Sequence, residues 1–292
     1  MIFLHLGFNN TATTFLQNFF FDKHPNIKNL GKPNFFFGKL KQFRISLKEH
    51  MITGKKFEDK ASIMLFKKII KENKICIFSD ENLHIKVKAQ KIFNVFKSIH
   101  RKSIILFTIR EQMNLIESLY FKDIKMQKIS PNYPIDLWVI KNKDYLLTKI
   151  NYSKQIQEFE KYFGIKNIRV LVYEEFTNDI KSFSRNLSNI LGVSNKTSVD
   201  LLSKHIKIKP RVRLSRRKLI LKKNFGLYYK YLAKLFGKYK LIRKWVDGGI
   251  EGKIELNFNE NDHKKFKETI VRCNKSISKK YSVDLGKFGY LI

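Results

Sequence analysis

"IFLHLGFNNTATTFLQNFF", residues 2–20, decides how the rest of the chain is read. It runs from a short apolar strand through a polar loop into an amphipathic helix. Gly7, followed by Asn9, Asn10, Thr11, Thr13 and Thr14, puts small side chains, amides and hydroxyls where a helix begins and its first N–H groups lack intrahelical partners. Such an end attracts anions. An ordinary N-cap after an edge strand accounts for the same residues, so context has to decide.

The context is a repeating pattern. "KICIFS" (74–79), "SIILFTI" (103–109) and "IRVLVY" (168–173) are apolar, β-branched and short enough for buried strands. "DKASIMLFKKIIKEN", "KAQKIFNVFKSIH" and "SKQIQEFEKYFG" carry helical periodicity. Alternation of the two predicts an α/β fold with a central parallel sheet flanked by helices. Ligands in such sheets bind beyond the carboxyl ends of the strands, which singles out Gly7 to Thr14, Asp80 to Asn82, Arg110, Glu174 and Glu175.

Composition narrows the classes. The 292 residues can bury a substantial core, and 43% hydrophobic with 14% aromatic content excludes a disordered chain. With 59 Lys and Arg against 25 Asp and Glu, the formal charge is +34, which favours an anionic partner. The chain is also heavy in Lys, Ile, Asn and Phe, which AT-rich coding favours, so part of the excess needs no partner. Cys76 and Cys273 stand far apart without clustered His, which predicts neither a disulfide framework nor a zinc site. No signal-peptide pattern opens the sequence and no run reaches membrane-spanning length. The expected location is cytoplasmic, with possible peripheral contact at the inner membrane face.

A Walker A loop counted from Gly7 fails, because Ala12 and Thr13 stand where its second Gly and its Lys belong. "HLGFNNTATTFLQ" instead resembles the 5′-phosphosulfate loop of the sulfotransferases, commonly His-Ile-Gly-x-x-Lys-Thr-Gly-Thr-Thr-x-Leu-Gln. His5, Gly7, Thr11, Thr13, Thr14, Leu16 and Gln17 match. "LFTIREQMNLIESLYF" then gives a strand, Arg110 and, eight residues on, Ser118. That spacing is similar to the family's 3′-phosphate motif, where a guanidinium forks onto phosphate oxygens and a helix hydroxyl donates to the same group. "DENL", "YFGIKNIRVLVYEEF" with "LSNILGV", and "CNKSISKKYSVDLGKFGY" extend the likeness toward bacterial carbohydrate sulfotransferases. Residues 193–259 match nothing in the family, and its Arg-Lys-Gly signature is not found.

The resemblance implies a single P-loop-type, three-layer domain over 1–292. The implied reaction is metal-free sulfuryl transfer from 3′-phosphoadenosine 5′-phosphosulfate (PAPS) to a hydroxyl or amine of a carbohydrate or glycolipid. Gly7, Asn9, Asn10, Thr11, Ala12, Thr13 and Thr14 would hold the 5′-phosphate, Arg110 and Ser118 the 3′-phosphate, and Phe15 would pack near the adenine. Glu81, placed after a strand, is the expected base; a helix cap is the plainer role for that carboxylate. Two departures stand out. The family's loop Lys is Asn10, an amide without charge, and its loop Gly is Ala12. A cation from another segment, or weakened catalysis, would follow.

From Lys204 to Lys244 the chain holds 16 Lys or Arg in 41 residues and no Asp or Glu. Interleaved Leu, Ile, Tyr and Phe predict a basic helical insertion at 204–245, suited to an anionic membrane surface or a polyanionic acceptor. Nucleic acid is disfavoured because no known reading motif accompanies the charge. Two rival readings therefore stand beside the enzyme: a nucleotide-binding relative with weakened catalysis, and a basic adaptor.

Overall fold

The protein is described by a computed structural model over residues 1–30, 49, 60–73, 75–81, 83, 87–99, 102–130, 133–206 and 260–292. Among these, five short runs form one all-parallel sheet. They are β1 (Ile2–Gly7), β2 (Ile27–Asn29), β3 (Ile75–Ser79), β4 (Ser103–Ile109) and β5 (Ile168–Val172), in the spatial order β2-β3-β1-β4-β5. β1, β3, β4 and β5 lie on the runs that read as strands. β2 was not anticipated, because three residues are too few to show a periodicity.

The helices are α1 (Thr13–Leu16), prolonged by a π turn over Gln17–Phe21, then α2 (Lys60–Glu72), α3 (Ala89–Ile99), α4 (Gln112–Lys125), α5 (Ile135–Lys141) and α6 (Lys143–Ile150). They continue with α7 (Tyr152–Phe163), α8 (Tyr173–Asn178), α9 (Ile180–Leu191), α10 (Asn195–Ile206) and α11 (Glu260–Tyr281). Caps fix several ends: the Asn151 side chain accepts from Lys154 N ahead of α7, and Asp179 accepts from Lys181 N and Ser182 N ahead of α9. The chain groups into two compact units, one from Met1–Gln112, Asn151–Ile208 and Ile270–Ile292, the other from Met113–Ile150 and Lys209–Thr269. The basic stretch 204–245 lies outside the described residues beyond Ile206.

The first unit holds the sheet. β1 is buried along its whole length, as a central parallel strand must be. Its alternate residues feed two layers. On one face Phe3, Ile77, Leu106 and Leu171 pack with Leu16, Phe20 and Phe21, with Phe176 of α8, with Phe183, Leu187 and Leu191 of α9, and with Leu202 of α10. On the other, Phe78 meets Phe96 of α3 and Phe107 meets Phe159 of α7, so helices cover both faces. β1 connects through β2 and β3 on one side before the chain crosses to β4 on the other. The strand order therefore reverses between β1 and β4, where an open parallel sheet leaves a crevice for ligands.

His5, at the centre of β1, is fully buried and settled as a structural residue. Its Nδ1 is 2.8 Å from the Ser79 hydroxyl and its Nε2 is 2.9 Å from that of Thr108, which ties β1 to both neighbours. A neutral ring donates through one nitrogen and accepts through the other, and hydroxyls serve either role. Burial pulls the His5 pKa down from 6.5 to about 3. A lowered folded-state pKa means that the unfolded chain takes the proton first as pH falls. The neutral ring's contribution is thus complete above the unfolded pKa of 6.5 and lost as pH falls towards about 3. The loss amounts to on the order of 4–5 kcal/mol over that interval. In urea titrations at a series of pH values, His5→Gln should show a shallower fall of unfolding free energy below pH 6.5 than the wild type. The difference should approach ~1.4 kcal/mol per pH unit. Parallel slopes would contradict a buried neutral imidazole.

Candidate functional site

The turn after β1 is held by its own side chains. Thr11 Oγ1 donates to the Phe8 carbonyl at 2.7 Å and lies 3.4 Å from Thr13 Oγ1, and Phe8 N donates to the Thr108 carbonyl at 3.1 Å. Gly7 is required by space: a Cβ there would run into the Thr13 hydroxyl. Asn10 and Ala12 both take the left-handed conformation, at φ 59 and φ 57. Asn tolerates that region, whereas Ala is disfavoured there by roughly 1–2 kcal/mol. Position 12 is thus one where the resembled motif's Gly would sit unstrained. Ala12 is also the N-cap of α1, and no side chain caps that end, so the amides and hydroxyls of the loop do not serve as an ordinary helix cap.

Across the crevice, Arg110 follows β4 directly. Its Nη1 donates to the Asn10 carbonyl at 3.2 Å, its guanidinium lies 4.8 Å from the centre of the Tyr173 ring, and its own carbonyl accepts from Tyr152 OH at 2.7 Å. Arg110 is 8% exposed, and its Nε is buried without a hydrogen-bond partner among the described residues. The Asn10 Nδ2 is in the same condition. Two orphaned donors at one loop fit an anion, because a buried donor left unsatisfied costs about 1–3 kcal/mol.

Glu81 closes the opposite side of the loop. Following β3, its Oε1 accepts from the Asn10 backbone N–H at 3.4 Å. A loop N–H expected to face phosphate is therefore engaged by a carboxylate. Of the two acidic residues after β5, Glu174 accepts from Glu111 N at 3.0 Å and from Tyr290 OH at 2.7 Å. Burial pushes the Glu174 carboxyl above its ordinary range, against the opposing pull of these two bonds and of the Arg110 charge. Glu175 turns elsewhere, accepting from Ser182 Oγ and Asn186 Nδ2. It borders a cavity of about 490 Å³ beside β5 that no loop residue lines.

The other expected site residues are distributed as follows. Asn9, Thr11 and Thr13 are buried, whereas Thr14 is exposed. Phe15 packs with its ring 5.0 Å from Phe19 and 5.1 Å from Phe176, a half-buried place at the edge of the core. Ser118 is half-buried on α4, within the second unit. Tyr152, Tyr173 and Tyr290, which brace Arg110 and Glu174, were not singled out from the sequence. Only the place of Tyr173, just after a strand, carried a signal. Among the described residues no three His, Cys, Asp or Glu side chains cluster as metal ligands, both cysteines are buried and free, and no helix is long and apolar enough to cross a membrane.

No family model matches the sequence, and no curated protein matches it. Solved structures do resemble the fold. A sulfotransferase from Alicyclobacillus acidocaldarius superposes with a TM-score of 0.55 over 98% of both chains, at 12% identity. The sulfotransferase domain from the curacin biosynthetic pathway gives a TM-score of 0.40 over 68% of this chain and 76% of that one, at 13% identity. The fold expected from the resemblance is the fold observed: a P-loop-type α/β architecture, with its five-stranded parallel sheet between helices, of the kind that sulfotransferases have.

Proposed function

We propose that this protein is a sulfotransferase that moves a sulfuryl group from PAPS to a hydroxyl or amine of a carbohydrate or glycolipid. The supporting observation is the hydrogen bond from Arg110 Nη1 to the Asn10 carbonyl, 3.2 Å long and spanning 100 residues of sequence. It brings Arg110, from the segment that resembles the family's 3′-phosphate motif, to the loop that resembles its phosphosulfate motif. Membership of one site is what that likeness requires.

The residues present suit such a donor. Gly7 keeps the turn free of a Cβ, and the buried Asn10 Nδ2 and Arg110 Nε await an acceptor. When bound, PAPS supplies an activated sulfuryl group on a phosphate leaving group. In the proposed transfer the acceptor oxygen or nitrogen forms the new bond to sulfur while the sulfur–oxygen bond to the 5′-phosphate breaks. The electron pair stays on the departing phosphate. Glu81 takes the acceptor's proton, the loop donors oppose the charge that develops on the phosphate, and Arg110 marks the 3′-phosphate. A cell-surface glycan or glycolipid as acceptor, and work at the inner membrane face through the basic stretch 204–245, belong to the same proposal and rest on charge.

Nucleotide titrations test the donor. Adenosine 3′,5′-bisphosphate should bind at least about tenfold more tightly than AMP, since charge-assisted hydrogen bonds contribute roughly 1.5–3 kcal/mol each. Equal affinity of the wild type for both nucleotides would remove the assignment.

A donor-dependent sulfation assay against surface glycans tests the chemistry. Glu81→Gln keeps an acceptor for the Asn10 N–H but cannot take a proton. Turnover should drop by on the order of 10²-fold or more while bisphosphate affinity stays nearly constant. An unimpaired rate would leave Glu81 as a strut of the loop, and nucleotide binding without any transfer would favour the non-catalytic relative.

A further inference from the structure

The loop lacks the cation that its resemblance calls for, and the structure brings one to the same residue from the neighbouring strand. Arg110 arrives at the backbone of Asn10 itself, with Nη1 on the carbonyl at 3.2 Å. The approach is fixed from three sides: Tyr152 OH holds the Arg110 carbonyl at 2.7 Å, the Tyr173 ring lies 4.8 Å from the guanidinium, and the Asn10 carbonyl anchors its tip. All three are uncharged. Among the described residues no carboxylate forms an ion pair with Arg110, and the nearby Glu174 spends its oxygens on Glu111 N and Tyr290 OH. A cation that is 92% buried, with Nε unpartnered and with a backbone carbonyl and a ring face against its guanidinium among the described residues, is incomplete without an anion.

We propose that Arg110 is the cation of the phosphosulfate loop: its guanidinium and the Asn10 amide together grip the 5′-side anion, in place of the Lys that the resembled motif carries at position 10. The proposal rests on the donor reading above and adds a second duty to the residue that reading assigns to the 3′-phosphate. Two buried donors, Arg110 Nε and Asn10 Nδ2, lie unpartnered on residues already joined to each other, so one anion at the loop satisfies both. A Lys at position 10 would bring a second positive charge against a guanidinium that this loop already holds.

The test separates the two ends of the nucleotide. AMP and inorganic pyrophosphate carry no 3′-phosphate, so a residue serving only that group leaves their binding unchanged. Arg110→Gln, which retains a donor for the Asn10 carbonyl, should lower AMP affinity on the order of ten- to a hundredfold and bisphosphate affinity at least as much. Asn10→Lys should lower AMP affinity in the wild type through like-charge crowding, yet restore it in the Arg110→Gln background. That reversal of sign is a coupling that independent sites do not show. The proposal is overturned if Arg110→Gln loses bisphosphate binding alone, or if Asn10→Lys changes AMP affinity by the same factor in both backgrounds. Should Arg110→Gln fail to fold, Asn10→Lys alone decides, because unchanged or improved AMP affinity contradicts crowding. If the wild type binds neither nucleotide, the donor reading fails by itself. Pyrophosphate binding that depends on Arg110 would then sustain the loop cation, and no binding of any probe would end both.

Discussion

The site hangs from a neutral imidazole. His5 bonds sideways to Ser79 at 2.8 Å and to Thr108 at 2.9 Å, and Gln17 Nε2 adds a bond to the same Ser79 hydroxyl at 2.9 Å. Ser79 precedes Glu81 by two residues, and Thr108 precedes Arg110 by two. The tie therefore fixes the height of both flanking strands at the point where each releases a chemically active side chain toward the loop. A charged His5 would bring a cation into a layer of Phe and Leu and would leave one hydroxyl without its donor role. Neutrality of the ring and alignment of the crevice are one condition.

Above that tie the electrostatics are arranged so that the loop cation is held but not neutralised. Its contacts are a carbonyl, a ring face and a phenol, while Glu174 is drawn aside by a backbone N–H and by Tyr290. Desolvation works in the same direction by weakening the ionised form of that carboxyl. The segment that ends in Tyr290 is itself anchored: Gln112 and Asn274 exchange amide hydrogen bonds of 2.6 and 3.3 Å, and Asn274 also donates to the Leu291 carbonyl at 2.9 Å. The end of the chain thus braces the residues immediately after β4, and a strand-end Arg keeps its charge available to an incoming anion.

Much of this was legible in residue order, for physical reasons. β4 and β5 are predominantly apolar runs because parallel strands are covered on both faces, and the rule that ligands sit past the strand ends pointed to Gly7, Glu81, Arg110 and Glu174 without any contact being known. Three things were not legible. β2 is three residues long and has no period of its own. The braces Tyr152 and Tyr290 come from a helix start and from the chain's end, where nothing local marks a tyrosine as a partner of Arg110 or of Glu174. The direction of the Asn10 N–H, toward Glu81 and not toward the expected phosphate, depends on a left-handed φ that only the folded loop discloses.

That left-handed loop bears on why a cation can move from the turn to the neighbouring strand. A Lys on the turn is a compact charge on a flexible stem, and it loses conformational freedom whenever it meets its anion. An Arg fixed at a strand end, with its carbonyl bonded and its planar head laid on a ring, has met most of that cost in folding. Asn suits the vacated position because it accepts φ 59 more readily than Lys does and keeps a buried N–H donor, Nδ2, that has no partner among the described residues. Ala12, strained at φ 57, remains the part of the loop for which the structure offers no compensating contact. On the proposed reading, charge, conformation and preorganisation thus all favour Asn10 with Arg110 as a pair. Neither substitution is neutral alone, because a Lys would crowd the guanidinium and an Asn without Arg110 would leave the loop uncharged.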